Sequence, residues 1–138
     1  MKIKIYTDGG ARGNPGIAGI GVVIKNEDNK VIFQEKKNIG IRTNNEAEYM
    51  AVIEGLKWVE KNRRGIEAVV FYADSELLVR QLKGEYRVKA KNLAGYYYTV
   101  QRKVADLELG VVFKQIGREE NGLADYLANL AMDEGEVR

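Results

Sequence analysis

Asp8, Glu48, Asp74 and Asp125 stand where a carboxylate can serve a reaction. Asp8 follows a strand-like run, and Asp74 closes a run of apolar residues. Glu48 falls in the first turn of a long helical pattern, and Asp125 lies near the start of the last one. The 138 residues include no histidine and no cysteine. That excludes Ser-His-Asp and Cys-His arrangements, histidine-ligated zinc and thiolate metal sites. Chemistry must run on carboxylates, lysine, tyrosine, arginine or a metal held by oxygen. Sites in sheets with parallel strands form at the strands' carboxyl ends. Asp8 and Asp74 share one rim if their strands are parallel neighbours. Crowded carboxylates repel and take up protons. A hard cation such as magnesium removes that repulsion. Two such ions about 3.5–4 Å apart can clamp the attacking and leaving oxygens of a phosphodiester. Each residue also has a plainer reading. Asp74 before Ser75-Glu76 suits a helix cap, and Glu48 and Asp125 both gain from a helix dipole.

These residues need elements to position them. Residues 2–7 alternate as a strand does, and 18–25 and 31–36 are β-rich runs joined by a polar hairpin loop at 26–30. From Asn45 to Asn62 the period becomes helical, with Tyr49, Val52, Ile53, Leu56 and Val59 on one side. Thr43, Asn44 and Asn45 all suit its N-cap. Residues 67–73 read as a strand buried on both faces. A short helix opens at Asp74-Ser75-Glu76. Residues 84–91 are irregular and basic, and 92–109 are helical. Residues 111–116 form a strand, 117–122 a loop and 123–132 a last helix. The order is β-β-β-α-β-α-α-β-α, an antiparallel meander followed by parallel additions, with helices covering a mixed sheet.

The segment TDGGARGNPG, residues 7–16, holds four glycines and the chain's only proline. It reads either as a plain loop between two strands or as a loop that lets a nucleic-acid backbone approach a catalytic carboxylate. The net charge of +2 is too small to argue nucleic-acid binding, so a local basic patch must supply it. No apolar run is long enough to span a bilayer. The N-terminus MKIKIYTD enters a strand pattern without a signal-peptide layout. A cytoplasmic protein of one domain, residues 1–138, is expected. Met1 and the short run past the last helix are expected of a complete chain.

Four segments together resemble type 1 ribonuclease H: TDGGARGNPG, TNNEAEYMAVIEGL, YADSELLVRQL and REENGLADYLANLA. They occur in the family's order and span almost the whole chain. The resemblance implies an α/β ribonuclease H-like fold. Its five-stranded mixed sheet is an antiparallel meander plus two parallel strands, flanked by helices. It implies an endonuclease that cuts the RNA strand of RNA–DNA hybrids with two Mg2+ ions, or Mn2+ as substitute. The products carry 5′-phosphate and 3′-hydroxyl ends. Carried over by residue, Asp8 would bridge both ions. Asp125 would complete the one that activates water, and Glu48 and Asp74 would hold the other. Gly9 and Gly10 belong to the substrate-binding turn, where the backbone near Ala11, Arg12 and Gly13 would approach 2′-hydroxyls. Asn14, Asn44 and Asn45 would meet minor-groove edges, sugars or phosphate, and Thr43 a phosphate of the DNA strand.

The chain departs from many family members in two places. The loop before Asp125 carries Arg118 where many carry histidine, as in a histidine-free branch. Arginine stays protonated, so Arg118 is assigned to stabilising charge or aiding product release, and Glu119 or Glu120 to relaying protons or metal. The long basic protrusion is replaced by KGEYRVKAKN, in which Lys83, Arg87, Lys89 and Lys91 form a modest patch beside Tyr86. Trp58 is expected to pack, and at least one of Tyr96, Tyr97 and Tyr98 to be exposed. Three alternatives accompany a monomeric hybrid nuclease. They are a broader nuclease that also cuts double-stranded RNA, an inactive hybrid-binding module, and a piece of a larger replication or retroelement protein.

Overall fold

The computed structural model describes residues 1–136. Strands β1 (Lys2–Arg12), β2 (Gly16–Lys25) and β3 (Val31–Arg42) form the antiparallel meander. Helix α1 (Asn44–Lys61) leads into β4 (Ala68–Ala73), which lies parallel to β1. Helices α2 (Glu76–Leu82) and α3 (Lys91–Leu107) precede β5 (Gly110–Gln115), which is parallel to β4. A single 3-10 turn, Arg118–Glu120, leads into α4 (Gly122–Glu136). The sheet order is β3-β2-β1-β4-β5. The expected order of elements and the mixed sheet are both present.

The helices divide between the two faces. Ile3, Ile5, Val22, Ile24, Val69 and Phe71 point to the side of α1 and α3, where they join Tyr49, Val52, Leu56, Leu93 and Val100 in one core. On the other face α4 crosses β1, β2 and β3, and Leu127 and Ala124 pack with Val23 and Tyr6. The strand buried on both faces is therefore β2, whose residues from Ala18 to Ile24 are all buried. This corrects the reading of 67–73. In β4 buried Val69, Phe71 and Ala73 alternate with half-buried Val70 and Tyr72, because α4 does not reach that strand. An unbroken apolar run does not tell how many faces are covered.

The glycine-rich segment is corrected too. Residues 7–12 are not loop: β1 continues to Arg12, pairing Asp8 with Gly21 and Arg12 with Ile17. The reversal occupies only residues 13–15, with Gly13 at φ +102° and a cis Asn14–Pro15 bond. Gly9 serves close approach within the fold: a Cβ there would lie 2.5 Å from the Ala47 carbonyl of α1. Gly21, opposite Asp8, does the same for α4, since its Cβ would lie 2.9 Å from the Ala128 nitrogen. Glycine has low β propensity, so the pattern of residues 8–12 hides the continuation of the strand. In this chain glycine is the residue that lets both helices lie against the sheet beside Asp8.

Of the three candidate caps, Thr43 is the N-cap of α1. Its Oγ1 accepts from Glu46 N at 3.1 Å, while Glu46 Oε1 accepts from Thr43 N at 2.8 Å, a reciprocal capping box. The cap of α2 is Ser75, whose hydroxyl accepts from Leu78 N at 3.2 Å, so Asp74 is not spent as a cap. Trp58 packs near Phe33 with ring centroids 5.9 Å apart. Tyr96 and Tyr97 pack on the core while Tyr98 is 76% exposed. The last helix runs past 132 to Glu136, where Arg12 pairs with Asp133 and Glu136, and Lys36 with Glu134.

Candidate active site

The β1–β4 register of Lys2 with Ala68 and Tyr6 with Tyr72 puts Asp8 level with Asp74, just where β4 stops and β1 goes on alone with β2. Asp8 is thus within its strand rather than at its end, but it stands at the rim that β4 makes. Close approach of α1 at Gly9 brings Glu48 over the same point. One oxygen from each of Asp8, Glu48 and Asp74 lies within 4.8 Å of the others. Asp125, exposed on the first turn of α4, is within hydrogen-bonding reach of Asp8. The four carboxylates share an open groove of about 500 Å3 with Arg118, Asn44 and the β1 segment from Gly9 to Arg12.

Crowding has an electrostatic signature. Burial, then the charge of Asp74, then contact with Asp125 and the charge of Glu48 push Asp8 up to about 8. Burial raises Glu48 to about 7, opposed by the Ser75 hydroxyl and the positive charge of Arg118. A metal-free cluster of this kind resists full ionisation near neutral pH.

The remaining sequence-derived residues divide. Asn44 lines the groove, and its Oδ1 accepts from Ala11 N at 2.7 Å, so the Ala11 N–H is already occupied. Gly13 and Asn14 lie at the hairpin tip outside the groove lining, and Asn14 Oδ1 accepts from Asn44 N at 3.0 Å. Thr43 and exposed Asn45 are also outside the lining. The Arg12 guanidinium faces α4: it pairs with Asp133 and Glu136 and donates to Asn129 Oδ1 at 3.3 Å. Beside the basic segment, Arg80 of α2 lies against the Tyr86 ring at 5.3 Å and pairs with Glu76 and Glu85, and within the segment Lys83 pairs with Glu85. Acidic neighbours thus offset part of that patch.

Ser75, the cap of α2, Asn129 and Met132 also line the groove, with no site role expected from the sequence. Asn129 sits one helical turn after Asp125 and donates to Asp125 Oδ1 at 3.3 Å. Met132 reaches the space beside Gly10. The i, i+4 spacing from Asp125 could have found Asn129; nothing local marks Met132.

The reverse transcriptase-like family pattern matches residues 6–131. A ribonuclease H of Ruthia magnifica is 33% identical, the alignment covering 96% of each chain. The bifunctional protein Rv2228c of Mycobacterium tuberculosis is 38% identical over 96% of this chain but 36% of its own length. This chain thus spans about a third of the first curated relatives it matches. The structure of LC11-RNase H1 in complex with an RNA/DNA hybrid superposes with a TM-score of 0.92 at 41% identity, covering 96% of this chain and 98% of that one. The RNase H1 of Halobacterium salinarum gives 0.90 at 30% identity, covering 97% of this chain and 99% of that one. With these relatives, the mixed sheet and a carboxylate cluster formed without any histidine, the chain belongs to the type 1 ribonuclease H family, in its histidine-free branch.

Proposed function

We propose that this chain hydrolyses the RNA strand of RNA–DNA hybrids, leaving 5′-phosphate and 3′-hydroxyl ends. One observation carries the reading. Asp8, Glu48 and Asp74 converge to within 4.8 Å at an open groove, with Asp125 beside them. The 41% identical LC11 enzyme, solved with a hybrid, supports the substrate class. The donor set is all hard oxygen, and burial with neighbouring charge raises two of its carboxyls, Asp8 and Glu48. Such a set fits divalent cations, Mg2+ or Mn2+. Asp8 would be shared by two ions, Asp125 would complete one, and Glu48 and Asp74 would hold the other. When bound, the ions supply Lewis acidity for activating water and stabilising the leaving 3′ oxygen.

The chain's own groups do the rest. The oxygen of water bonds to phosphorus and the bond from phosphorus to the 3′ oxygen breaks. One proton leaves the water and one reaches the departing oxygen. Arg118 cannot accept a proton. It lines the groove and supplies fixed positive charge for the phosphate and for product release. The Asn44 amide, held by Ala11 N through its oxygen, presents its NH2 group to the minor groove. Thr43, Asn45 and the Gly13–Asn14 tip extend that contact along the duplex. Under this reading residues 1–138 act as a single, monomeric, cytoplasmic ribonuclease H domain.

The test is cleavage of an end-labelled hybrid in Mg2+ by wild type and Asp8→Asn, beside matched double-stranded RNA. Hybrid cleavage that disappears in the variant is expected. Folded wild type that cuts neither duplex in Mg2+ or Mn2+ overturns the reading. The double-stranded RNA lane sets the substrate range, since both duplexes are A-like.

A further inference from the structure

Asn121 stands where β1, the end of β4 and the start of α4 meet, the segments that carry Asp8, Asp74 and Asp125, and it is 1% exposed. Its Nδ2 donates to Thr7 O at 2.9 Å, the carbonyl immediately before Asp8, and to Asp74 Oδ2 at 3.2 Å. Its main-chain oxygen accepts from Asp125 N at 3.0 Å, and its main-chain nitrogen donates to Arg118 O at 3.0 Å. Both acceptors of the side chain are oxygens, so the amide must present nitrogen to them. The opposite flip would set oxygen against a carbonyl and a carboxylate. Its own Oδ1 is buried without a partner among the described residues. A buried polar side chain left half satisfied is unusual in a folded protein.

We infer that Asn121 is a positioning residue for Asp74. It fixes Oδ2 by a neutral hydrogen bond, turns Oδ1 toward the shared cluster, and ties that carboxylate to the backbone of Asp8 and Asp125. Partners of this kind orient a ligand and set metal affinity without touching the ion. A neutral donor suits the place, because it orders one carboxylate without competing with a cation for the charge of the other three. The inference rests on the metal-site reading above.

The experiment is calorimetric titration of Mg2+ into the metal-free full chain, wild type, Asn121→Ala, Asp74→Ala and the double variant, with Tm measured on each. Asn121→Ala is expected to weaken Mg2+ binding about ten- to a hundredfold. The same change on the Asp74→Ala background is expected to cost almost nothing further, because residues acting through one another are not additive. A merely structural role would lower Tm alike on both backgrounds and leave the Mg2+ titration in place. Wild-type binding matched by Asn121→Ala overturns the inference alone. Wild type that takes up no Mg2+ overturns the metal site itself. If Asn121→Ala does not fold, the wild-type NMR signals of the Asn121 side-chain NH2 decide. Slow solvent exchange and a shift on adding Mg2+ are expected, and fast-exchanging signals that Mg2+ leaves unmoved overturn the inference.

Discussion

Removing Asp8 should make the metal-free protein more stable, not less. Burial and the neighbouring carboxylates raise Asp8 from an ordinary 3.8 to about 8. Between those values the folded state keeps a proton that the unfolded chain releases. Stability therefore falls as pH rises through this window and levels off above pH 8. One pKa unit is worth about 1.4 kcal/mol, so the ionised Asp8 burdens the metal-free fold by on the order of 5 kcal/mol. Asp8→Asn keeps the shape and removes the charge, but its amide needs partners of its own. A net gain of about 2–4 kcal/mol at pH 8 follows, turning into a loss of about 1–3 kcal/mol near pH 4, where only the cost of the amide remains. For a chain of this size the gain at pH 8 is on the order of 10 °C in Tm. The assay is thermal unfolding of both proteins in chelator across pH 4–9, repeated with Mg2+. Wild type should recover stability with Mg2+ as binding to the folded state requires, and Asp8→Asn should gain little. A variant no more stable than wild type at pH 8 in chelator, with the same slope against pH, would refute the electrostatic account of the cluster.

Arg118→Ala should lower turnover about ten- to a hundredfold. It should also raise the Glu48 carboxyl further, since the arginine charge now opposes its rise. The acid limb of the rate profile then moves to higher pH, and full turnover in the variant would count against the role. Gly9→Ala would put a methyl against the Ala47 carbonyl and push α1 away, displacing Glu48. We expect at least a hundredfold loss of hybrid cleavage, with about 1–3 kcal/mol lost in urea melts. Thr43→Ala opens the capping box and should cost about 1 kcal/mol of stability. A drop in affinity for the hybrid beyond that, read by binding at several salt concentrations, would place Thr43 on a phosphate. Arg12→Ala unties the hairpin end from Asp133, Glu136 and Asn129. It should lower activity through misplacement of Asp125, whose partner Asn129 loses its anchor, while Asp8, Glu48 and Asp74 keep their mutual geometry.

The contrast between what was legible in the sequence and what was not follows from where each residue gets its instructions. Strand and helix periods and cap residues are written locally, and the structure carries them with shifts of a few residues at element ends. Faces are not local. Whether 67–73 is covered on one side or two depends on how far α4 reaches, and α4 lies close against β2 at Gly19 and Gly21, inside a run that reads as an ordinary strand. The glycines of 7–16 raised the right question for a partly different reason. Gly9 admits a helix, and that helix delivers Glu48. The same limit hides the amides. Asn121 and Asn129 look like ordinary polar residues of a helix start and a helix surface. Their bonds to Asp74 and Asp125 exist only once β4, β1 and α4 have met. A carboxylate cluster can be read from a sequence because its cost demands a cation. The amides that aim it can be read only from the fold, because their bonds join segments far apart in the chain or depend on which face of a helix meets the site.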